Sequence, residues 1–218
     1  MTAFHPFLLK PRFRVLSRDD PYQTVATTWN GASAIELPPN GTHFGFVQTG
    51  PTVVGEMRLA AGMYFAVPSA VSIRGGSGLV ITRVGYNGFF HVGGPVEETG
   101  RQRYIDGCTD SLLVPPVLLG DPCLNLLHIP PHTRQSAHTH PSIRVGLIVS
   151  GRGECVTPDC HYPLTPGLAF VIAANSTHSF HTHDEPLRVI AYHPDSDFGP
   201  THECHPMVNR TILPTEKP

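Results

Sequence analysis

The stretch PHTRQSAHTHPSIRVGLIVSG, residues 131–151, carries His138, Thr139 and His140, a His-X-His triplet that leads into an apolar run. Side chains at i and i+2 on a β-strand leave the same face, so the two imidazoles share a side. A second stretch, LTPGLAFVIAANSTHSF (164–180), reads as another strand and brings His178, 38 residues after His140. Three histidines delivered by neighbouring strands make one triangular face of a metal coordination sphere. This is the one constellation in the chain with metal-ligand spacing.

The remainder is patterned for short strands. Twenty-one glycines and 23 prolines among 218 residues punctuate runs of Val, Ile, Phe, Leu and Thr, a composition of many strands and tight turns. Strands are predicted at 12–17, 43–48, 53–60, 78–86, 123–129, 142–150, 169–174 and 187–193, with no helix longer than two turns. The formal net charge is −2, from 15 basic and 17 acidic residues. The basic residues are scattered, which gives nucleic acid or an anionic membrane no electrostatic footing. No apolar run approaches the ~20 residues that span a bilayer, and MTAFHPFLLKPRFRVLS lacks the features of a signal peptide. A soluble, cytoplasmic chain is expected. Five cysteines, an odd number without a CxxC, argue against a disulfide framework. Cys155 and Cys160 flank the turn VTPD and could face each other, with reduced thiols the preferred state.

The chain partly repeats itself. GFVQTG (45–50) resembles GLIVSG (146–151), and AAGMYFAVPSAVSI (60–73) resembles TPGLAFVIAANSTH (165–178). ELPPN (36–40) resembles HIPPH (128–132). Two copies of one β-module are expected, meeting near residues 95–120, which read as a long connection rich in turn formers. Ile73 then stands where the second copy has His178, and His43 where it has Arg144. The first copy lacks a His-X-His and is expected to hold no metal.

At these residues the chain resembles the cupin superfamily. Residues 131–151 are similar to its first motif, a His-X-His with a later Gly. Residues 164–180, with Pro166, Gly167 and His178, are similar to its second. The motifs cover about fifty residues, and the repeat carries the likeness over most of the chain. The resemblance implies an all-β bicupin: two tandem double-stranded β-helix (jelly-roll) barrels with an extended C-terminal tail. Residues 1–105 would form a degenerate module without metal, and residues 106–218 the metal-binding module plus tail. One departure matters. The family's motif-one carboxylate would fall at position 144, and here that residue is Arg144, which cannot ligate a cation. The implied ligand set is therefore His138, His140 and His178 alone, similar to superfamily members with three histidines and unlike the oxalate enzymes, germins and quercetinases.

Three neutral imidazoles leave a divalent ion its full charge and open positions. Fe(II) is favoured, with Zn, Ni, Mn or Cu open. Arg144 has the parity to face the cavity and to hold a substrate anion by a bidentate contact, or else to swing out to a surface carboxylate. His193, at the end of a strand, is the reserve acid/base residue. His181, His183 and the H-x-C-H run at 202–205 read as surface, and Tyr104 and Asp106 as possible cover for a cavity. The function expected is a mononuclear non-haem iron dioxygenase or related oxidoreductase acting on a small anionic or chelating substrate. A redox-neutral metal enzyme (isomerase, lyase or hydrolase) and a non-catalytic ligand- or metal-sensing module are the alternatives. A homodimer is possible.

Overall fold

The structure is a computed structural model that describes residues 3–10, 14–18, 23–31 and 33–212. The first half of the chain contains β1 (Phe4–Leu8), β2 (Arg14–Arg18), β3 (Gln23–Trp29), β4 (Ile35–Leu37), β5 (Gly41–Thr49), β6 (Thr52–Val54), β7 (Met57–Leu59), β8 (Tyr64–Val67), β9 (Val71–Arg74), β10 (Ser77–Val84) and β11 (His91–Gly93). The second contains β12 (Gln102–Arg103), β13 (Thr109–Val114), β14 (Cys123–Ile129), β15 (Arg144–Val156), β16 (His161–Leu164), β17 (Leu168–Ile172) and β18 (Ser179–His193). Helix among the described residues is confined to single turns at Ile105–Gly107 and Pro206–Asn209, as expected of a chain so rich in Gly, Pro and β-branched residues.

Two large antiparallel sheets follow one plan. One runs β11-β8-β5-β10-β3-β2 and the other β1-β17-β15-β18-β14-β13-β12. The repeat read from sequence appears in the register: Gly45 pairs with Phe65, and Gly146 with Phe170. At both glycines an added Cβ would run into the opposing phenylalanine ring, so each glycine is the slot that admits its Phe. The outer position beside β17 is filled by β1, with Phe4 opposite Ile172 and Leu8 opposite Leu168. The second sheet is thus completed by the start of the chain.

The two sheets pack face to face through Phe44, Phe46, Leu79 and Ile81 from one and Leu126, Val145, Leu147 and Ile190 from the other. Gln48 Nε2 reaches across to donate to the Val149 carbonyl at 2.9 Å. Behind each sheet lies a separate interior. In the first half it is closed by the sheet β4-β9-β6-β7. In the second, β15 and β18 are long and broken by register shifts near Ile148–Gly153, which lets the same two strands bend and form both walls.

Several expectations are corrected. Residues 53–60 are not one strand: Gly55 at φ +58° turns the chain between β6 and β7. The connection at 95–120 contains β12 and β13 rather than turns alone. The predicted strand at 12–17 falls partly outside the described residues, which here begin at Arg14. All five cysteines are free, and Cys155 faces Tyr162 rather than Cys160. The match of ELPPN to HIPPH is accidental. Pairing instead sets Ile35 opposite Ile73 and His138 opposite His178. Ile35, Leu37 and Ile73 therefore occupy the places of His138, His140 and His178.

Candidate metal centre and cavity

His138 and His140 do not lie on a regular strand. His138 forms an isolated bridge with His178, each N–H donating to the other's carbonyl at 3.0 Å. The Asn175 N–H holds the His140 carbonyl at 2.7 Å. These bonds bring the three rings together in place of the strand parity expected from sequence. Their centroids are 4.6 to 5.2 Å apart, and one nitrogen from each lies within 4.8 Å of the others.

The ring orientations are set by backbone. His138 Nδ1 lies 2.8 Å from the Ser136 carbonyl and His178 Nδ1 lies 2.9 Å from the Ser176 carbonyl. A carbonyl only accepts, so both Nδ1 atoms carry a proton and each ring has only its Nε2 left to ligate an ion. The Ser136 segment is held in turn by Asp106, whose carboxylate accepts from the Ser136 N–H at 2.6 Å and its hydroxyl at 3.2 Å. Burial, with Arg144 and the two neighbouring imidazoles, pushes His140 down to about 3. Burial also pushes His178 down to about 4. These rings are neutral at pH 7, the state a metal ligand requires. The donor set fits a divalent transition ion.

The triad stands in the wall of a cavity of about 460 Å³. Phe170, Ile172, Phe180, Val189 and Leu127 supply apolar wall. Arg144 lines the same cavity and is 9% exposed. Its Nη1 donates to Ser142 Oγ at 2.6 Å and to the Ile143 carbonyl at 2.9 Å, and lies 3.7 Å from Asp195 Oδ1. Its Nε has no partner. The side chain thus turns inward, as parity suggested, and still meets a carboxylate at the rim. His193 also lines the cavity, its ring 6.3 Å from that of His140. Burial, with Arg144 and His140, holds it well below the usual imidazole range, so it enters as a neutral hydrogen-bonding group.

Residues 195–198, beyond β18, cross the mouth and contribute Asp195, Ser196, Asp197 and Phe198 to the lining. They are tied down where the Gly120 N–H donates to the Ser196 carbonyl at 3.1 Å and the Leu119 N–H to that of Pro200 at 2.8 Å. Tyr104 lines the cavity too, whereas Asp106 braces the ligand loop rather than covering it. Sequence reasoning missed Asp110 and Asn125, which face the cavity from β13 and β14. The signal was an Asn inside the otherwise apolar CLNLLHI. His181 turns to the outer side, 3.7 Å from Glu154, and His202 and Cys204 are exposed.

Residues 125–193 match the family model for the cupin domain. No curated protein matches the chain. Solved structures share its fold at low identity. Protein Ylba from E. coli is 14% identical with a TM-score of 0.64, over 89% of this chain and 91% of that one. Salicylate 1,2-dioxygenase from Pseudoaminobacter salicylatoxidans, in complex with gentisate, is 11% identical at 0.58, over 79% and 68%. Bacillus subtilis oxalate decarboxylase, studied for its Mn(II) centers, is 11% identical at 0.56, over 89% and 78%. No helix among the described residues is long and apolar enough to cross a membrane.

Proposed function

We propose that this chain, which belongs to the cupin superfamily, is a metal-dependent enzyme built as two tandem cupin barrels, of which only the second holds a metal. His138, His140 and His178 are the ligands, and Fe(II) is the favoured ion. The reaction is an oxidation by dioxygen of a small anionic or chelating substrate. The convergence of three imidazoles in the wall of one cavity carries this reading. An ion held there supplies open coordination positions and Lewis acidity.

The chain's own groups do the rest. Arg144, which lines the cavity, orients a substrate anion with its guanidinium. The apolar wall of Phe170, Ile172 and Phe180 excludes water and shapes the substrate's body. His193, held neutral, donates or accepts one hydrogen bond beside His140. The salicylate dioxygenase and the Mn(II)-containing decarboxylase bear on the choice of reaction only as neighbours in fold.

A second reading is a redox-neutral lyase, isomerase or hydrolase, and one observation favours it: Asp110, a carboxyl pushed up to about 6 by burial, lines the same cavity. Elemental analysis of gently purified protein is expected to find about one transition ion per chain, and a substrate screen in an oxygen electrode separates the two reactions. Metal-free protein that takes up no ion on reconstitution would overturn both. Arg144→Met tests the anion contact: affinity for small carboxylates is expected to fall about 10- to 100-fold, the scale of one charge-assisted hydrogen bond, with metal content unchanged.

A further inference from the structure

The cavity carries polar groups at two ends. One end is the imidazole triad with Arg144 and His193. The other is the pair Asp110 and Asn125, with Asn125 opposite Ala191, two residues from His193, and Asp110 farther along the sheet. Val145, beside Arg144, pairs with Tyr192, beside His193. Asp110 pairs with Leu127, and Leu127 with Val189. His193 and Val189 are four residues apart on β18, about 13 Å of strand rise.

The far pair is not explained by packing. Asn125 is nine-tenths buried, hydrogen-bonds the Asp110 carboxyl, and leaves its own Oδ1 without a partner. No cation pairs with Asp110 among the described residues. Asp195, by contrast, has Arg144 and the Ser142 hydroxyl. Among those residues the Asn125 amide is the one donor to Asp110, and a carboxylate lining a cavity without a cation beside a buried, unpartnered amide oxygen is costly. Leucine at either position would continue the lining that Leu112 and Leu127 make. The group that satisfies the Asp110 carboxylate, beside the Asn125 amide, is a cationic donor with several N–H bonds.

We propose that Asp110 and Asn125 form a second recognition pole, which takes the ammonium group of a small zwitterion whose carboxylate is held at the Arg144 end. This names the substrate class of the metal-lined cavity and rests on that reading. A cavity of about 460 Å³ suits a substrate of this size. The two poles also set a length: the zwitterion must reach from one to the other.

The test is calorimetric titration of the full chain, loaded with zinc, with glycine, 4-aminobutyrate and 6-aminohexanoate, each compared with acetate, butyrate and hexanoate. One of the amino acids is expected to bind at least tenfold more tightly than its unaminated partner. Asp110→Asn is expected to erase that preference without changing zinc content, and Asp110→Glu to keep part of it. Equal binding of amino and plain acids by the parent protein overturns the inference, as does an unchanged preference in Asp110→Asn. Carboxylate binding without amine preference leaves the metal site standing and removes only this second pole. Failure to take up zinc and to bind either series removes both.

Discussion

The two interiors of this chain share a frame and differ in what fills it. In the first, Ile35, Leu37 and Ile73 pack with Trp29, Phe65 and Val80 in one apolar cluster. In the second, the corresponding places hold His138, His140 and His178 around a cavity. Where the cavity half has Arg144, the filled half has His43, whose Nδ1 lies 2.8 Å from Thr82 Oγ1 and whose Nε2 lies 2.9 Å from the Pro38 carbonyl. Every polar atom of the His43 ring is satisfied within the chain, whereas Arg144 keeps an orphaned Nε. The difference teaches that one strand register supports either a solid core or a polar hollow.

The largest way to break the comparison is to remove a ligand. His178→Ala is expected to reduce bound transition metal to about a tenth of the parent's or less, read by elemental analysis after reconstitution, because three-ligand sites rarely survive as two. Replacing Trp29 by Ala should leave the metal stoichiometry of the folded fraction untouched. A metal-retaining His178→Ala would mean that the two interiors do not differ in their capacity for an ion.

Exchanging the residues across the repeat comes next. Ile73→His places an imidazole in a packed apolar cluster and is expected to destabilise by about 3 kcal/mol or more in urea titration. The reciprocal His178→Ile is expected to stay within about 1 kcal/mol of the metal-free parent, or to exceed it. Equal penalties in both directions would show that the second interior is packed as tightly as the first.

The shared frame has its own test. Gly45→Ala and Gly146→Ala each push a methyl into a phenylalanine ring. Both are expected to cost about 2 kcal/mol, within the usual range of core overpacking. A penalty at one site alone would mean that the halves are less alike than their register.

The smallest effect is the part of the pH dependence that Asp110 carries. The carboxyl of Asp110 is pushed up to about 6 from 3.8 by burial. Between those values the native state holds the proton and the unfolded state has released it, so the Asp110 contribution to stability falls as pH rises through this window. The loss is on the order of 1 to 2 kcal/mol after allowing for partial solvation. Burial of His140, His178 and His193 makes stability rise with pH over the same range, so Asp110→Asn should steepen that rise when unfolding is compared at pH 4.5 and 7.5.

Much of this was legible because chemistry narrows residue choice. A His-X-His with a third His at the second motif suits few tasks besides gripping a cation, and Arg144 inside the motif declared itself by being the wrong charge. Apolar runs between Gly and Pro marked many of the strands, but of the two longest only residues 187–193 of β18 and the first part of β15 were read. What could not be read depended on shape alone. Ile-Glu-Leu at 35–37 and His-Thr-His at 138–140 share an inward face and no side chain, so the false match of ELPPN to HIPPH stood out in their place. Asp110 and Asn125 look in sequence like ordinary solvent-facing strand residues. Only the position of the cavity shows that their face is the inner one. The turn within VVGEMRLA hung on one glycine at positive φ.

The pairing of Phe4–Leu8 with Leu168–Ile172 reaches beyond the native fold to how the chain comes to be made. Residues 4–8 must wait for about 160 further residues to be made before their partner strand exists. A polypeptide beginning at residue 106 would expose the flank of β17 as an open edge, ready to recruit a stray strand. Expression of the second half by itself therefore calls for the first ten residues to be spliced back on.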